Sequence, residues 1–359
     1  MSEPLVTTAE ALAGTVGLMA LFDRVAIDTE ADSLHSYFEK LCLIQISTAR
    51  HDQLVDPLAE IDLTPLWPAL KKHQLILHGA DYDLRLLRKT NGFVPSHIFD
   101  TMLASRLLGE REFGLFNLVQ KHLGITLEKG SQKADWSKRP LTLRMETYAR
   151  HDTHHLKPVA DILREQLAQK QRLAWLEQCC DRLIAECSVP SKPDPDLVWR
   201  VKGCHKLPPH ALAVLREIWH WREKEALACN RPPFFVLSHE ALVAISAAAT
   251  DQGAIGPLLP RHFSPRRKDG LLEAIEQGLA VEPGEDPLPL RSISRRHTDA
   301  ERRRFMVLEQ GRNRCADELQ LDPTLIASRA TLIALAEDWD RHSGELMQWQ
   351  REILTQCRG

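Results

Sequence analysis

Several patterns that would assign a chain quickly to a class are missing from this sequence. No run of eighteen apolar residues occurs, so no transmembrane helix is expected. The opening Met-Ser-Glu-Pro lacks the basic and apolar regions of a secretory signal, and the eight cysteines form no CxxC pair. These absences favour a soluble protein of the reducing cytoplasm without a disulfide framework.

The motif of nucleotide-driven motors is missing too. The GxxxxGK[ST] phosphate loop that a helicase motor requires is absent, so no nucleotide cofactor is expected. The net charge is −3, whereas proteins that bind nucleic acid usually carry a basic surface. At 359 residues the chain is too long for one ordinary core, and two or three domains are expected.

Acidic residues stand out at three separated positions. Val25-Ala26-Ile27 is typical of a buried strand, and its continuation would place Asp28 and Glu30 on the same face. Two carboxylates so close repel each other unless a cation lies between them. Acids at strand ends and helix starts also cap backbone amides, so each position taken alone has this second interpretation.

The second acidic position follows the apolar segment that ends in His78. A helix is predicted to begin after this segment and to end near Asn91-Gly92. Asp81 suits the N-cap of that helix and is interpreted as structural. Asp83 would lie in the first turn, from where it can point back towards the end of the strand. Asp83 is therefore the candidate metal ligand.

The third acidic position is Asp152, on a predicted helix that follows Pro140. Tyr148 lies four residues earlier, so the two side chains share a helix face. A phenol beside a metal-bound carboxylate can position a water molecule. Carboxylates without cysteine or histidine at ligand spacing are the ligands that Mg²⁺ and Mn²⁺ prefer, which indicates metal-dependent phosphate chemistry.

Three histidines on the same helix allow a zinc hypothesis. His151 and His155 are four residues apart, but no His-Glu-x-x-His pattern and no cysteine pair accompanies them. Packed or solvated side chains are the simpler interpretation of His151, His154 and His155. Their proximity to Asp152 could still tune the site.

Together these motifs resemble a known enzyme family. Asp28-x-Glu30, Asp83 five residues after His78, and Tyr148-x-x-x-Asp152 are similar to the tyrosine-containing branch of the four-acid 3′-5′ exonucleases. The segment 132–141, QKADWSKRPL, resembles the ribonuclease D family in particular. The resemblance extends over roughly residues 8 to 165, and the four-part pattern is more specific than any single motif.

The resemblance implies a ribonuclease-H-like α/β domain, a mixed sheet of about five strands flanked by helices. The local patterns agree with this fold. They predict strands at 24–29, 40–47 and 53–56 and a strand into His78. They predict helices opened by Thr64-Pro65 and over 100–108 and 116–123.

The resemblance also implies a mechanism with two divalent cations, Mg²⁺ or Mn²⁺. Asp28 would bridge both ions, and Glu30 and Asp152 would complete the ion on the side of the nucleophile. Asp83 would hold the second ion, and Tyr148 would orient the attacking water. The expected product is a nucleoside 5′-monophosphate released from a 3′ end.

Candidate contacts to a nucleic-acid substrate lie close to these motifs. They are His78 in the second motif and Lys133, Lys138 and Arg139 before the third. Basic clusters occur elsewhere in the chain, although each could be only a solvated surface. These clusters are at 261–268, 291–296 and 302–304.

Beyond the catalytic region, a helical pattern over 159–187 stops at the proline-rich segment 189–195, a stiff linker. The following stretch resembles an HRDC domain, with an amphipathic helix at 212–230 and a second helix that Ser238 would cap. Trp219 and Trp221 could stack on bases, but aromatic residues at helical spacing more often belong to a core.

A second region, 318–332, resembles the same turn and helix, after a proline-rich joint at 282–289. The all-α HRDC-type part would therefore contain two modules. The predicted domains are an exonuclease domain with its trailing helix at 1–188, a linker at 189–198, an HRDC-type domain at 199–281 and a divergent HRDC-like domain at 290–359.

The leading hypothesis is a monomeric, cytoplasmic exoribonuclease that trims RNA with an accessible 3′ end, such as tRNA precursors. A DNA-directed 3′-5′ exonuclease would use the same chemistry, because discrimination rests on contacts to the 2′-hydroxyl. A non-catalytic nucleic-acid-binding scaffold is a third hypothesis, which the presence of all four acids and the tyrosine disfavours.

Overall fold

The computed structural model describes residues 3–357, apart from 129, 191, 262, 283 and 291–296. The chain divides into two compact units. The first contains the described residues of 1–31, 41–190 and 295–359, and the second contains those of 32–40 and 191–294. Among all of these residues, no helix combines the length and the apolar character needed to cross a membrane.

The first unit is built on a mixed five-stranded sheet with the order β3-β2-β1-β4-β5. Strand β1 pairs antiparallel with β2, and β2 pairs antiparallel with β3. On the other side, β1 pairs parallel with β4, and β4 pairs parallel with β5. The strands are β1 Arg24–Ala31, β2 Leu41–Ser47, β3 Asp52–Val55, β4 Gln74–Leu77 and β5 His97–Asp100. The predicted strands are confirmed to within two residues.

Strand β1 lies in the middle of the sheet, where Val25, Ala26 and Ile27 are buried. Because β1, β4 and β5 run parallel, their carboxyl ends lie at the same edge of the sheet. A register shift between Glu30 and Ala31 interrupts the regular pairing of β1 with β2. The sheet therefore brings the first and second acidic motifs to one edge.

Eight α-helices precede the proline-rich linker in the part of the chain that the structure describes. They are α1 Ala9–Met19, α2 Leu66–Leu70, α3 Asp81–Asn91, α4 Thr101–Leu107, α5 Leu115–Leu123, α6 Leu143–His154, α7 Leu156–Gln169 and α8 Leu173–Ser188. The predicted helices near 100–108 and 116–123 are confirmed as α4 and α5.

Two local predictions for this region are wrong. The N-cap of α3 is Ala80, and Asp81 is its first helical residue, paired with Arg85 at 2.9 Å. The continuous helix expected over 159–187 is two helices, broken where Gln171 takes a left-handed φ of 57°. The predicted end of α3 is confirmed, because Gly92 adopts the left-handed φ of 65° that favours glycine.

The second unit contains a module of four helices, called here the first module: α9 Pro209–Ala228, α10 Pro233–Val236, α11 His239–Thr250 and α12 Pro265–Leu279. Ser238 caps α11 by accepting the Ala241 N–H at 3.2 Å, as predicted. Trp219 and Trp221 are partly buried and pack against the core of this unit, which supports their interpretation as core residues.

The chain returns to the first unit in a second module: α13 Asp299–Leu319, α14 Pro323–Ile326, α15 Arg329–Glu337, α16 Trp339–His342 and α17 Gln348–Gln356. Its apolar residues continue the core of the sheet domain. The Trp349 ring stacks on Trp175 of α8, with centroids 4.8 Å apart. The Arg172 guanidinium donates to the carbonyls of Leu107 and Leu319, each at 2.7 Å.

Candidate active site

Three of the predicted acids meet at the carboxyl end of β1. The side-chain oxygens of Asp28 and Glu30, both on β1, and of Asp152, on α6, all lie within 4.8 Å of one another. Within the described ranges, this is the only group of three or more carboxylate, histidine or cysteine side chains placed to share a metal ion. The tertiary structure therefore joins the first and third acidic motifs.

The fourth predicted acid, Asp83, lies in the first turn of α3 beside this group. Its carboxylate accepts a hydrogen bond from the hydroxyl of Thr29, which stands between Asp28 and Glu30 on β1. The charge of Asp83 raises the pKa of Asp28, Glu30 and Asp152, so it belongs to the same electrostatic cluster. Thr29 was not predicted as a site residue, although it lies between the candidate ligands Asp28 and Glu30 in the sequence.

Burial and mutual repulsion raise the pKa values of these carboxyl groups. Burial, followed by the charges of Asp152 and Asp83, raises the pKa of Glu30 to about 9. Burial raises the pKa of Asp152 to about 7 and that of Asp83 to about 6. Asp28 also has a pKa well above its usual range. Clustered oxygens that cannot all ionise fit a divalent cation, whose charge would offset the repulsion.

Tyr148 projects into the same cluster from α6. Its hydroxyl donates a hydrogen bond to the Asp152 carboxylate, and burial with the neighbouring acids raises its pKa, so the phenol keeps its proton at neutral pH. The ring packs beside buried Trp136, with centroids 6.2 Å apart. A Cβ on Gly130 would collide with the Tyr148 ring, so the backbone there fits only glycine. Trp136 and Gly130 thus hold the phenol in place.

Polar contacts fix α6 against the sheet. The Thr153 and Ser47 hydroxyls lie 2.7 Å apart, and Ser47 donates to Asp52 at 2.6 Å. His154 Nδ1 lies 2.7 Å from the same Asp52 carboxylate, and the Arg150 guanidinium donates to the Asp52 carbonyl. These bonds set the position of α6, and with it the positions of Tyr148 and Asp152.

A residue that the sequence analysis did not single out organises the second motif. Asp100, at the end of β5, is buried and accepts backbone N–H bonds from Gly79 and Ala80 at 3.1 and 2.8 Å. It also caps α4 by accepting the N–H groups of Met102 and Leu103. An acid at the end of an apolar strand, as at Asp28, is the signal that could have identified it.

His78 follows β4 and precedes the turn at Gly79 and Ala80. Thr101 Oγ1 donates to the Leu77 carbonyl at 3.0 Å, which leaves it to accept from His78 Nδ1 at 2.9 Å. Burial lowers the pKa of His78, so the ring is neutral. Because Nδ1 carries the only proton of the neutral ring, Nε2 could accept a hydrogen bond from a substrate but not donate one, and contact with RNA stays a prediction.

The segment before the third motif uses its basic residues differently. The five N–H donors of Arg139 go to the Asp56 carboxylate and to the carbonyls of Cys42, Trp136 and Lys138. Arg139 therefore anchors the segment, which leaves no donor for a phosphate. The Lys138 side chain is 77% exposed, and its ammonium makes only a long ion pair of 3.8 Å with Asp135, so it is free to reach a substrate. Contacts of Lys133 and Lys138 with RNA stay predictions.

The histidines near Asp152 are packed against one another. The rings of His154 and His155 meet edge to face at 4.6 Å, and those of His151 and His155 lie 5.9 Å apart. Burial and these neighbours lower the pKa of His155. None of the three joins the metal-capable group found in the described chain, which supports the packed interpretation.

Two of the predicted basic clusters serve partly structural roles. Arg266 and Arg267 bind the same Glu225 carboxylate at 2.6 and 3.2 Å. Arg304 donates to a backbone carbonyl at the end of α15 at 2.6 Å. The cluster at 291–296 and position 262 of the first cluster lie outside the described residues.

Comparisons with known proteins agree with this geometry. Residues 5–168 match a family model described as 3′-5′ exonuclease, and residues 211–252 match the HRDC domain. A ribonuclease D of Gluconacetobacter diazotrophicus is 31% identical over 358 residues, which cover 98% of this chain and 90% of that protein. A ribonuclease D of Pseudomonas paraeruginosa is also 31% identical, over 93% of this chain and 90% of the relative.

A solved structure shows the same fold. The crystal structure of Escherichia coli RNase D, described as an exoribonuclease involved in structured RNA processing, superposes with a TM-score of 0.73 at 24% identity. The match covers 99% of both chains. The predicted fold class, an α/β exonuclease domain followed by HRDC-type helices, is confirmed.

Proposed function

Because this chain belongs to the ribonuclease D family of 3′-5′ exoribonucleases, we propose that it removes nucleotides one at a time from RNA 3′ ends as nucleoside 5′-monophosphates. The observation that carries the proposal is the convergence of Asp28, Glu30, Asp152 and the adjacent Asp83 with the Tyr148 phenol. Members of such exonuclease families generally depend on divalent metal ions, and this acidic cluster offers the ligands.

We infer that the four carboxylates hold two divalent cations, Mg²⁺ or Mn²⁺. Asp28, whose pKa is raised by burial and by the charges of all three other acids, would contribute to both ions, with Glu30 and Asp152 completing one and Asp83 the other. Bound cations would supply the positive charge that makes a water nucleophilic and stabilises the leaving 3′ oxygen. The raised pKa values mean that the protein must release protons to bind metal, so binding tightens as pH rises.

The protein groups orient the reactants. Tyr148 keeps its proton and already donates to Asp152, so its oxygen has a lone pair free to accept from the attacking water. Trp136 and Gly130 keep the ring from rotating away. Thr29 fixes the position of the Asp83 carboxylate. Asp100 fixes the turn at Gly79 and Ala80, which leads into α3, the helix that carries Asp83. Such prepositioning lowers the entropy cost of the reaction.

The substrate class follows from the family and the helical modules. We propose that structured RNAs with an accessible 3′ end, such as tRNA precursors, are the substrates. The division of the chain into three domains and a linker, with a second HRDC-like module at 290–359, is part of this proposal. A cytoplasmic monomer is the form we expect to act. The eight cysteines are free thiols, which suits a reducing compartment.

The proposal is tested by digesting the same RNA labelled at its 5′ end or at its 3′ end. With Mg²⁺ or Mn²⁺, the 5′ label should give a ladder that shortens from the 3′ end, and the 3′ label should be released at once as a mononucleotide. EDTA should stop both reactions. A matched DNA oligonucleotide should be digested far more slowly, and equal digestion of DNA would contradict the RNA assignment.

A further inference from the structure

Exposed aromatic rings gather around the carboxyl end of α9 in the second unit. Phe234 and Phe235 of α10 are 51% and 52% exposed, and their ring centroids lie 4.7 Å apart at an angle of 31°. Phe38, from the segment 32–40, is 62% exposed. An exposed Phe on its own is ordinary, but a close pair of half-exposed rings presents a continuous aromatic surface to solvent.

The segment 32–40 brings Phe38 to the same end of α9. The Tyr37 backbone N–H donates to Asn230 Oδ1 at 3.3 Å, and the Tyr37 hydroxyl donates to Glu223 at 3.0 Å. The Tyr37 ring supports Phe38 edge to face, with centroids 4.9 Å apart. Phe38 therefore lies near Asn230, four residues before Phe234.

The backbone beneath the aromatic pair is held firmly. Val236 and Leu237 are buried in the core of the unit, and the Arg222 guanidinium donates to the Leu237 carbonyl at 3.3 Å. Pro232 and Pro233 restrict the turn that leads into α10. The two rings are thus presented from a preorganised turn, which lowers the entropy cost of binding a partner.

A basic side chain available to an anion lies close in sequence to the aromatic pair. Arg231, next to them in sequence, is exposed and has no side-chain partner among the described residues. The nearby carboxylate of Glu223 is already occupied by Arg222, at 2.7 Å, and by the Tyr37 hydroxyl. A ligand that offers flat rings and negative charge would satisfy both features.

The second module shows that the fold does not require this surface. Its corresponding turn, α14, carries Thr324 and Leu325 in place of the two phenylalanines. Leu325 packs against the core of the first unit, so that turn has no exposed aromatic pair. The aromatic surface is specific to the first module, although the turns share the same backbone form.

We propose that Phe38, Phe234 and Phe235 form a base-stacking surface for single-stranded RNA, with Arg231 contacting the phosphate backbone. The inference rests on the proposed function and adds a binding site outside the acidic cluster. Stacking on aromatic rings is tolerant of sequence, because every base has a π-face, and so suits an enzyme that removes each nucleotide in turn.

The test measures RNA binding by the full chain in EDTA, where no hydrolysis occurs. Fluorescence anisotropy would report the affinity for a 5′-labelled, unstructured RNA of about 16 nucleotides, long enough to span several stacking contacts. The double variant Phe234→Leu/Phe235→Leu keeps apolar bulk but removes the π-faces, and it should bind about tenfold more weakly or worse. The variant Phe234→Tyr/Phe235→Tyr should bind within about threefold of the wild type, because the rings remain.

Two controls separate stacking from other effects. Leu227→Ala changes an exposed apolar residue of α9 that carries no ring, and it should leave affinity unchanged. Arg231→Gln should weaken binding at low salt and reduce its salt dependence, since one phosphate contact is lost. Thermal unfolding of each variant shows whether the fold is intact, and the Tyr variant provides a folded reference with both positions changed.

The outcomes decide the proposal independently of catalysis. If the Leu variant binds RNA as tightly as the wild type, the rings do not stack on bases and a protein partner is the better explanation. If the Tyr variant loses affinity as the Leu variant does, stacking is also contradicted. Failure of the wild type to digest RNA with Mg²⁺ or Mn²⁺ would instead refute the proposed function, while the binding result would still stand.

Discussion

The two helical modules share one arrangement of helices and turns, but their apolar side chains pack in different places. In each, a buried arginine of the long helix donates to a carbonyl in the following turn: Arg222 to Leu237 at 3.3 Å and Arg312 to Ala327 at 2.8 Å. Each arginine also binds the residue after it, Glu223 or Asn313.

The correspondence continues along the chain at the same sequence separation. Each long helix is followed by a residue with left-handed φ, 45° at Asn230 and 56° at Gln320. A short helix beginning with proline comes next, and then a serine caps the third helix, Ser238 in one module and Ser328 in the other. The same local rules thus produced two copies of one turn.

The difference lies in the apolar surfaces. The first module encloses its own core, whereas the apolar residues of the second continue the core of the sheet domain through Trp349 and Leu325. One framework can therefore serve as part of a catalytic core or as a separate body with open surface. Which role each copy has depends on a few side chains outside the shared framework.

The largest expected effect is on catalytic turnover and comes from the acidic cluster, which lies outside both modules. Effects of changes in the two modules can be compared with it. Asp28→Asn removes a charge at the centre of the acidic cluster and should lower turnover by about 10³-fold or more, on short and long RNA alike. The measurement is the initial rate of mononucleotide release with Mg²⁺, and circular dichroism should show an unchanged fold. Near-normal activity would refute the site assignment.

Truncating the second module's core contact should affect stability strongly. Trp349→Ala removes a buried ring stacked on Trp175 and should lower the free energy of unfolding by about 3 to 5 kcal/mol. A contrasting change in the first module, Phe235→Ala, removes an exposed ring and should change the free energy of unfolding by less than about 0.5 kcal/mol. Urea unfolding measures both, and equal effects would break the contrast between the modules.

The pH dependence of stability should also distinguish the two units. Folding raises the pKa of Asp83 from 3.8 to about 6 and that of Glu30 from 4.5 to about 9. Between those limits the folded chain binds more protons than the unfolded chain, so unfolding free energy falls as pH rises from about 4 to about 9. Mg²⁺ should remove most of this fall, because the cation replaces the protons.

Hydrogen exchange of individual peptides measures this prediction in EDTA and in Mg²⁺. Peptides of the first unit, including the second module, should lose protection as pH rises in EDTA after correction for the intrinsic exchange rate. Peptides of the first module should not, because their unit contains none of the four acids. A parallel loss in both units would contradict the assignment of the effect to the acidic cluster.

The smallest effects are expected at the matched arginines. Arg222→Met and Arg312→Met each leave a buried carbonyl without its partner, which should cost about 1 to 3 kcal/mol of stability. Arg222→Met should also weaken RNA binding, since it loosens the turn beneath Phe235, whereas Arg312→Met should leave RNA affinity near the wild-type value. Urea unfolding and anisotropy on the same preparations report both quantities. The reverse pattern of RNA affinities would argue against the stacking surface.

Much of the fold and the site could be predicted from local patterns. The strands around Asp28, the end of α3 at Gly92 and the cap at Ser238 follow from apolar periodicity and backbone preference, which act over a few residues. Asp83, which was preferred over Asp81 as the candidate ligand, lies beside the acidic cluster, and its role as a ligand stays a prediction, whereas the predicted N-cap role of Asp81 was wrong. Sequence patterns could not show that every donor of Arg139 is used by protein acceptors.

By itself the sequence determined the chemistry: which acids and phenol are available, and in what local geometry each is presented. It also determined the repeated helical turn, because serine caps, prolines and left-handed residues act through neighbouring backbone atoms. Only the tertiary structure decided that Thr29 binds Asp83, that Asp100 holds the second motif, and that one module joins the core of the sheet. These contacts link residues far apart in the chain, and their partners are chosen by packing, which no local pattern encodes.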